Sequence, residues 1–342
     1  MRPVFARLLL PVLVLPVLAQ APAPAQMAPQ TAPRPALQAQ FLPRAEAAKV
    51  LVGDDYFHLL HTPELRAKTG LALAGMTDDQ ARDAARAFYA DSAKDFTPEE
   101  RAGLQAILDH AAPQIAAKLP LMARTPFRFI KAGVEGGLPH TRGACIVLAP
   151  RVVAALARIA EEQPAALDRA ASLLVHEQTH VLEREHPEVF ASLFTEIFGF
   201  RRLASVPDAP SLAERRVVNP DGPDLGWAFP IHDGPKVRWI RPDLQLAQLE
   251  HPRMPQDFQE VAVDLVETDG GFALDLDAGG QPKVENLQAL KAYEDAFAGV
   301  GEDFHPHEIA AVLLSGWVTG TGSPAQAALQ ARTAAWAGQH LR

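Results

Sequence analysis

The chain has 342 residues, of which 48% are hydrophobic and 21% charged, with a formal net charge of −9. That composition supplies a core for one large domain or two modest ones, and it carries no basic stripe of the kind nucleic acid demands. A single cysteine, Cys145, excludes an intramolecular disulfide.

At the N-terminus, Arg2 and Arg7 precede an apolar run from Leu8 to Ala19, and small residues follow. This is the layout of a secretory signal peptide over residues 1–19. The run is short for a span, which needs about 20 apolar residues. Cleavage after Ala19 implies a secreted or periplasmic protein with no stable membrane span. Residues 20–43 are rich in alanine, proline and glutamine and read as an extended linker.

Residues 44–125 form a helical region. Thr77 opens one helix, with acids in its first turn, and Thr97 opens another, with Pro98 at the first helical position. In residues 126–205 the texture changes. "FRFIKA" (127–132) and "ACIVLA" (144–149) are short β-rich runs, and Cys145 in the second reads as a small buried hydrophobe. "PRVVAALARIAEEQ" is a helix. A second helix runs through "PAALDRAASLLVHEQTHVLERE", opened by Pro164 and closed before Pro187.

The last region, 206–342, is β and loop first, then helical. Residues 206–290 are rich in proline, glycine and aspartate and read as irregular β structure with long loops. Alternating runs there include "KVRWIR" and "FQEVAVDLVE". "NPDGPD" (219–224) reads as a tight turn that can line a cleft or bind a cation. Helices return from Leu287, through "LQALKAYEDAFA", "HPHEIAAVLLSGW" and a segment opened by Ser323 and Pro324.

The chemistry concentrates in "LLVHEQTHVLEREHP", residues 173–187. On a helix, His176 and His180 lie one turn apart on one face and can grip a single Zn²⁺. Glu177 is rotated about 100° from His176, so it can reach water at the metal without being a ligand. A catalytic zinc site requires a third protein ligand and an open position.

Three residues are candidates for that ligand. His186 has the spacing of the metzincin pattern H-E-x-x-H-x-x-G-x-x-H, but Glu183 stands where that pattern requires a turning glycine. Glu196, in "ASLFTEIFGF", lies at the distance expected of a glutamate on the next helix. Glu308 follows Pro306, which would open a helix and set Glu308 in its first turn beside Ala311.

"HPHEIAA" resembles a P-x-E-x-x-A segment of gluzincin-type zinc metallopeptidases. Together with H-E-x-x-H, the resemblance to zincins covers residues 126–200 and 285–320. It implies His176, His180 and Glu308 as zinc ligands and Glu177 as general base. It also implies an α+β, zincin-like fold. A small β-sheet would place an edge strand above the H-E-x-x-H helix, between mostly helical N- and C-terminal parts. "ACIVLA" is the expected edge strand, pairing with an extended peptide, and His140 and Arg142 would border the cleft. In such helices an acidic residue often stands four positions after the ligand glutamate, to orient a histidine. Here that position is Val312, so a carbonyl or another carboxylate must hold the imidazole.

Peptide hydrolysis also needs a donor to the developing oxyanion. Tyr293, ahead of Glu308, and His305 are the candidates among tyrosines and histidines. The expected function is zinc-dependent hydrolysis of a peptide or protein substrate. The alternatives are a metzincin-like protease using His186, or a degenerate zincin that binds envelope partners without catalysis.

Overall fold

A computed structural model describes residues 37–163, 166–232 and 236–342. The signal peptide, the linker up to residue 36 and Pro164 lie outside the described residues. The chain is already ordered at β1 (Ala39–Phe41), inside the stretch read as linker. The alanine- and proline-rich composition hides Phe41, whose ring packs against Phe96 and Phe129 at 5.0 and 5.5 Å between centroids.

Helices α1 (Arg44–Val52), α2 (Thr62–Thr69) and α3 (Asp78–Ser92) follow, then β2 (Ala93–Lys94), α4 (Pro98–Lys118) and α5 (Pro120–Arg124). Thr77 and Thr97 close capping boxes with Gln80 and Glu100, satisfying donors that a helix start leaves free. Strands β3 (Phe127–Ala132), β4 (His140–Arg142) and β5 (Cys145–Leu148) lead into α6 (Pro150–Glu162) and α7 (Leu167–Glu185).

The first sheet has the order β1-β3-β5-β4, with β2 pairing β3. β1, β3 and β5 are parallel, and β4 returns antiparallel to β5. Its strands alternate between two cores. Phe127, Phe129, Ile146 and Leu148 face the large core of α4 and α7, while Ile130, Ala132, Cys145 and Val147 face α1 and α3. A sheet covered on both faces needs such continuous apolar runs.

"ACIVLA" is therefore not the edge strand. It lies between β3 and β4, and β4 is the edge. Gly143, at φ +57°, allows the tight return from Arg142 to Cys145. "HTR" reads as loop because all three residues are polar, yet all three are buried.

Beyond α7 come α8 (Pro187–Ser192), a wide turn Leu193–Ile197, β6 (Arg201–Arg202) and α9 (Pro210–Ala213). A second sheet follows: β7 (Trp227–His232), β8 (Val237–Leu246), β9 (Phe258–Thr268), β10 (Gly271–Leu274) and β11 (Val284–Asn286). It is an antiparallel meander ordered β10-β9-β8-β7-β6, with β11 on β9. The region read as irregular is thus a regular sheet with long connections. α10 (Lys291–Ala296), α11 (Pro306–Thr319) and α12 (Ala327–His340) close the chain. α11 packs alongside α7 through Ile309, Ala310 and Leu313 against the large core. Among the described residues, no helix is long and apolar enough to cross a membrane.

Candidate metal centre

Helix α7 buries Ala170, Ala171, Leu174, Val175 and Leu182 in the large core. That spacing turns His176 and His180 toward α11. On α11, Pro306 takes the first turn, where no intrahelical donor is lost, and Glu308 follows it. The two helices so bring together three side chains from distant parts of the chain. His176 Nε2 lies 3.2 Å from Glu308 Oε2 and 3.2 Å from His180 Nε2, and His180 Nε2 lies 3.5 Å from Glu308 Oε2. One ligand atom from each of the three lies within 4.8 Å of the others.

These separations test the group against a metal. Ligands about 2.0–2.1 Å from a tetrahedral ion sit about 3.3–3.4 Å from each other. The observed triangle has those edges. His180 is fully buried and Glu308 nearly so, while the His176 side chain keeps 15% exposure. The open side of the triangle is thus the His176 side. Burial alone would depress the His176 imidazole, but the hydrogen bond to Glu308 carries it up to about 9. Burial would raise the Glu308 carboxyl, yet His180 and His176 hold it well below the usual range. The pocket is built to hold positive charge, as protons or as a cation that displaces them.

Glu177 lies beside this triangle, 3% exposed. Its Oε2 is buried with no hydrogen-bond partner among the described residues. Burial, reinforced by Asp221, pushes its carboxyl up to about 8. A carboxyl this basic, with a free oxygen beside a candidate metal site, suits a proton acceptor once a cation in the triangle displaces its proton.

The imidazoles are oriented from outside the triangle. His180 Nδ1 donates to Glu183 Oε2 at 2.9 Å, which leaves Nε2 as the lone pair facing Glu308. His307 Nδ1 lies 2.9 Å from the same oxygen. Glu183 thus takes the role that Val312 cannot. Asn219 Nδ2 donates to Glu308 Oε1 at 2.5 Å, and Glu302 Oε2 stands 3.8 Å from His176 Nε2. Sequence reasoning noticed Glu183 only as a missing glycine, although its i+3 spacing from His180 was a usable signal. Asn219 and Asp221 reach the site on the NPDGPD loop, read in the sequence as a turn able to line a cleft, whereas Glu302 reaches it on a loop that carried no such signal.

Other expected residues fall elsewhere. His186 ends α7 at φ −132°, ψ 52° and lies outside the cluster, because Glu183 lets the helix run on to Glu185. Glu196 is exposed in the turn after α8. Tyr293 is buried among Phe229 and Phe297, and its hydroxyl donates to the Asp303 carbonyl at 2.5 Å. His305 caps α11: its Nδ1 accepts from the His307 N–H at 3.4 Å, and Nε2 donates to the Asp224 carbonyl at 2.6 Å. Burial, with His307 adding to it, depresses that imidazole to about 4, so it stays neutral. The polar atoms expected to serve an oxyanion are thus both engaged with backbone groups.

The register of β4 settles the direction of His140 and Arg142. They pair with Val147 and Cys145, so they share the face turned to α1 and α3, away from α7. Arg142 is spent on Asp54 and the Leu51 carbonyl. Thr141 has its N–H on Asp221 Oδ1 at 2.6 Å and its carbonyl 3.4 Å from Arg184 Nη2. The outer rim of the edge strand is therefore occupied by protein. The expected pairing with an extended peptide has no free main-chain groups at Thr141.

Comparison with family models, with curated proteins and with solved structures finds no match to this chain.

Proposed function

We propose that the chain is a zinc-dependent peptidase of gluzincin type, secreted or periplasmic, acting on a peptide or protein substrate. The observation that carries this reading is the triangle of His176, His180 and Glu308, with edges of 3.2, 3.2 and 3.5 Å beside a buried glutamate. These three side chains would hold the ion. Bound zinc supplies Lewis acidity, making a water acidic near neutral pH and polarising a carbonyl. Glu177 takes a proton from the attacking water as its oxygen bonds to the carbonyl carbon. The C–N bond then breaks, and Glu177 returns the proton to the leaving amine. Glu183 keeps His180 in its ligating tautomer, and Asn219 steadies Glu308. The antiparallel edge strand β4 next to α7 is in keeping with a zincin arrangement.

One observation favours a second reading. With Thr141 capped by Asp221 and Arg184 and Glu177 nearly buried, the site suits a metal-binding protein that does not turn over peptides. Metal analysis of the purified protein, followed by a peptide library, separates the two. Stoichiometric zinc with hydrolysis that vanishes in Glu177→Gln while the zinc stays supports the peptidase. Zinc without hydrolysis supports the second reading, and a wild-type chain that binds no zinc overturns both.

A further inference from the structure

The N-terminal helices hold a second buried group of ionisable residues that no step above uses. On α2, Glu64 and Lys68 are fully or almost fully buried and lie 3.2 Å apart. Lys68 also meets Glu135 Oε2 at 2.7 Å, and Glu135 accepts the hydroxyls of Tyr56 and Tyr89 at 2.8 and 2.6 Å. Glu135 sits at φ +50°, a conformation side-chain-bearing residues rarely adopt.

The group grips the backbone of one residue in a remote loop, at both its N–H and its carbonyl. Glu64 Oε1 accepts the Val218 N–H at 2.6 Å, and Lys68 Nζ donates to the Val218 carbonyl at 2.8 Å. Val218 immediately precedes Asn219, whose side chain holds Glu308. Burying ions is costly, and well-packed apolar residues of the same volume would stabilise a core at least as well. What the polar pair adds is a fixed position for Val218.

We propose that Glu64 and Lys68 are positioning residues for the metal centre, acting through Val218 and Asn219 on Glu308. The proposal rests on the metal-centre reading above. It extends that reading to α2, which contributes no ligand. Loss of the grip frees the Val218–Asn219 unit, and the Glu308 carboxylate loses the donor that aims it.

The test uses the full chain. Zinc affinity is measured by competition with a chromogenic chelator, and ligand geometry by the visible absorption of the cobalt-loaded protein. Asn219→Ala is expected to weaken zinc binding about 10–100-fold, the usual effect of removing a group that orients a ligand. Lys68→Met is expected to weaken it about tenfold and to alter the cobalt bands. The double variant should bind no more weakly than Asn219→Ala alone, since both changes act on one path. Glu64→Gln keeps an oxygen on the Val218 N–H and should hold wild-type affinity and spectrum, whereas Glu64→Met should not. If Lys68→Met fails to fold, the two Glu64 variants carry the comparison. Wild-type affinity and bands in the folded methionine variants, or losses that add fully to Asn219→Ala, would overturn the proposal alone. A wild-type chain that binds neither zinc nor cobalt overturns the metal centre with it.

Discussion

Replacing Glu183 by leucine separates the work of this carboxylate from that of the ligands. Its side chain is fully buried, with one oxygen 2.9 Å from both His180 Nδ1 and His307 Nδ1. Burial alone would raise its carboxyl, but His307 and His180 hold it below the usual range. In Glu183→Leu the His180 N–H faces an apolar wall, and an unpaired buried donor costs about 1–3 kcal/mol. Relief from burying a carboxylate works in the opposite direction, so the stability of the metal-free protein is a poor readout. Zinc affinity is a better one. Without Glu183 the imidazole can rotate or place its proton on Nε2, and the expected loss is about 10–100-fold, or about 1.4–2.8 kcal/mol. Since zinc binds only the assembled site, the zinc-induced rise in unfolding free energy should shrink by the same amount. Chelator competition and denaturation with and without saturating zinc measure the two quantities independently. Glu183→Gln keeps an acceptor for the N–H and should lose less. Wild-type zinc affinity in Glu183→Leu would refute this account of how His180 is oriented.

Glu308→Gln should lose most of its zinc affinity, while His186→Gln and Glu196→Gln keep it. Isothermal titration of the three variants checks this, and a large loss at His186 would restore the metzincin-like ligand set. Tyr293→Phe should leave any hydrolytic rate within about threefold while lowering the melting temperature, because its hydroxyl serves the Asp303 carbonyl. A drop of about 100-fold in rate with unchanged stability would return Tyr293 to the chemistry. Burial pushes the Glu64 carboxyl up to about 7 against the pull of Lys68, from an ordinary value of 4.5. A raised carboxyl favours the folded state most below pH 4.5, and this contribution is lost as pH rises through 7. Wild type should therefore gain stability over Glu64→Gln on going from pH 7.5 to about 5, by at most about 1.4 kcal/mol per pH unit. Parallel urea-denaturation curves across that range would show the assignment to be mistaken.

The meeting of His176, His180 and Glu308, with Glu177 beside them, was legible because helices are periodic. A spacing of four residues fixes a shared face, and Pro306 marks the turn that carries Glu308. The capping threonines were legible for the same local reason. What escaped is what depends on contacts between distant segments. β4 is polar in sequence and buried in the fold, since Thr141, His140 and Arg142 find partners or cover that only the assembled chain provides. The edge position passed from "ACIVLA" to "HTR" because strand order is set by pairing, and pairing leaves no mark in a four-residue apolar run. His305 and Tyr293 were placed near the chemistry by chain proximity to Glu308, but helix capping and aromatic packing claim their polar atoms.

The same geometry makes the site a reporter of assembly. His176 and His180 come with α7, Glu308 with α11, and Asn219 with the loop held by α2. None of these elements contains a complete ligand set, so the unfolded chain offers at most a weak pair of histidines. On the proposed function, metal binding would draw on the docking of α11 against α7, and its free energy would add to the stability of that interface rather than to either helix alone. The candidate ligands and their orienting groups are divided among α7, α11 and the loop at Asn219, and the buried pair of α2 reaches that loop through the backbone of one residue, Val218. A change as far away as Lys68 should thus register at the metal before it registers in secondary structure.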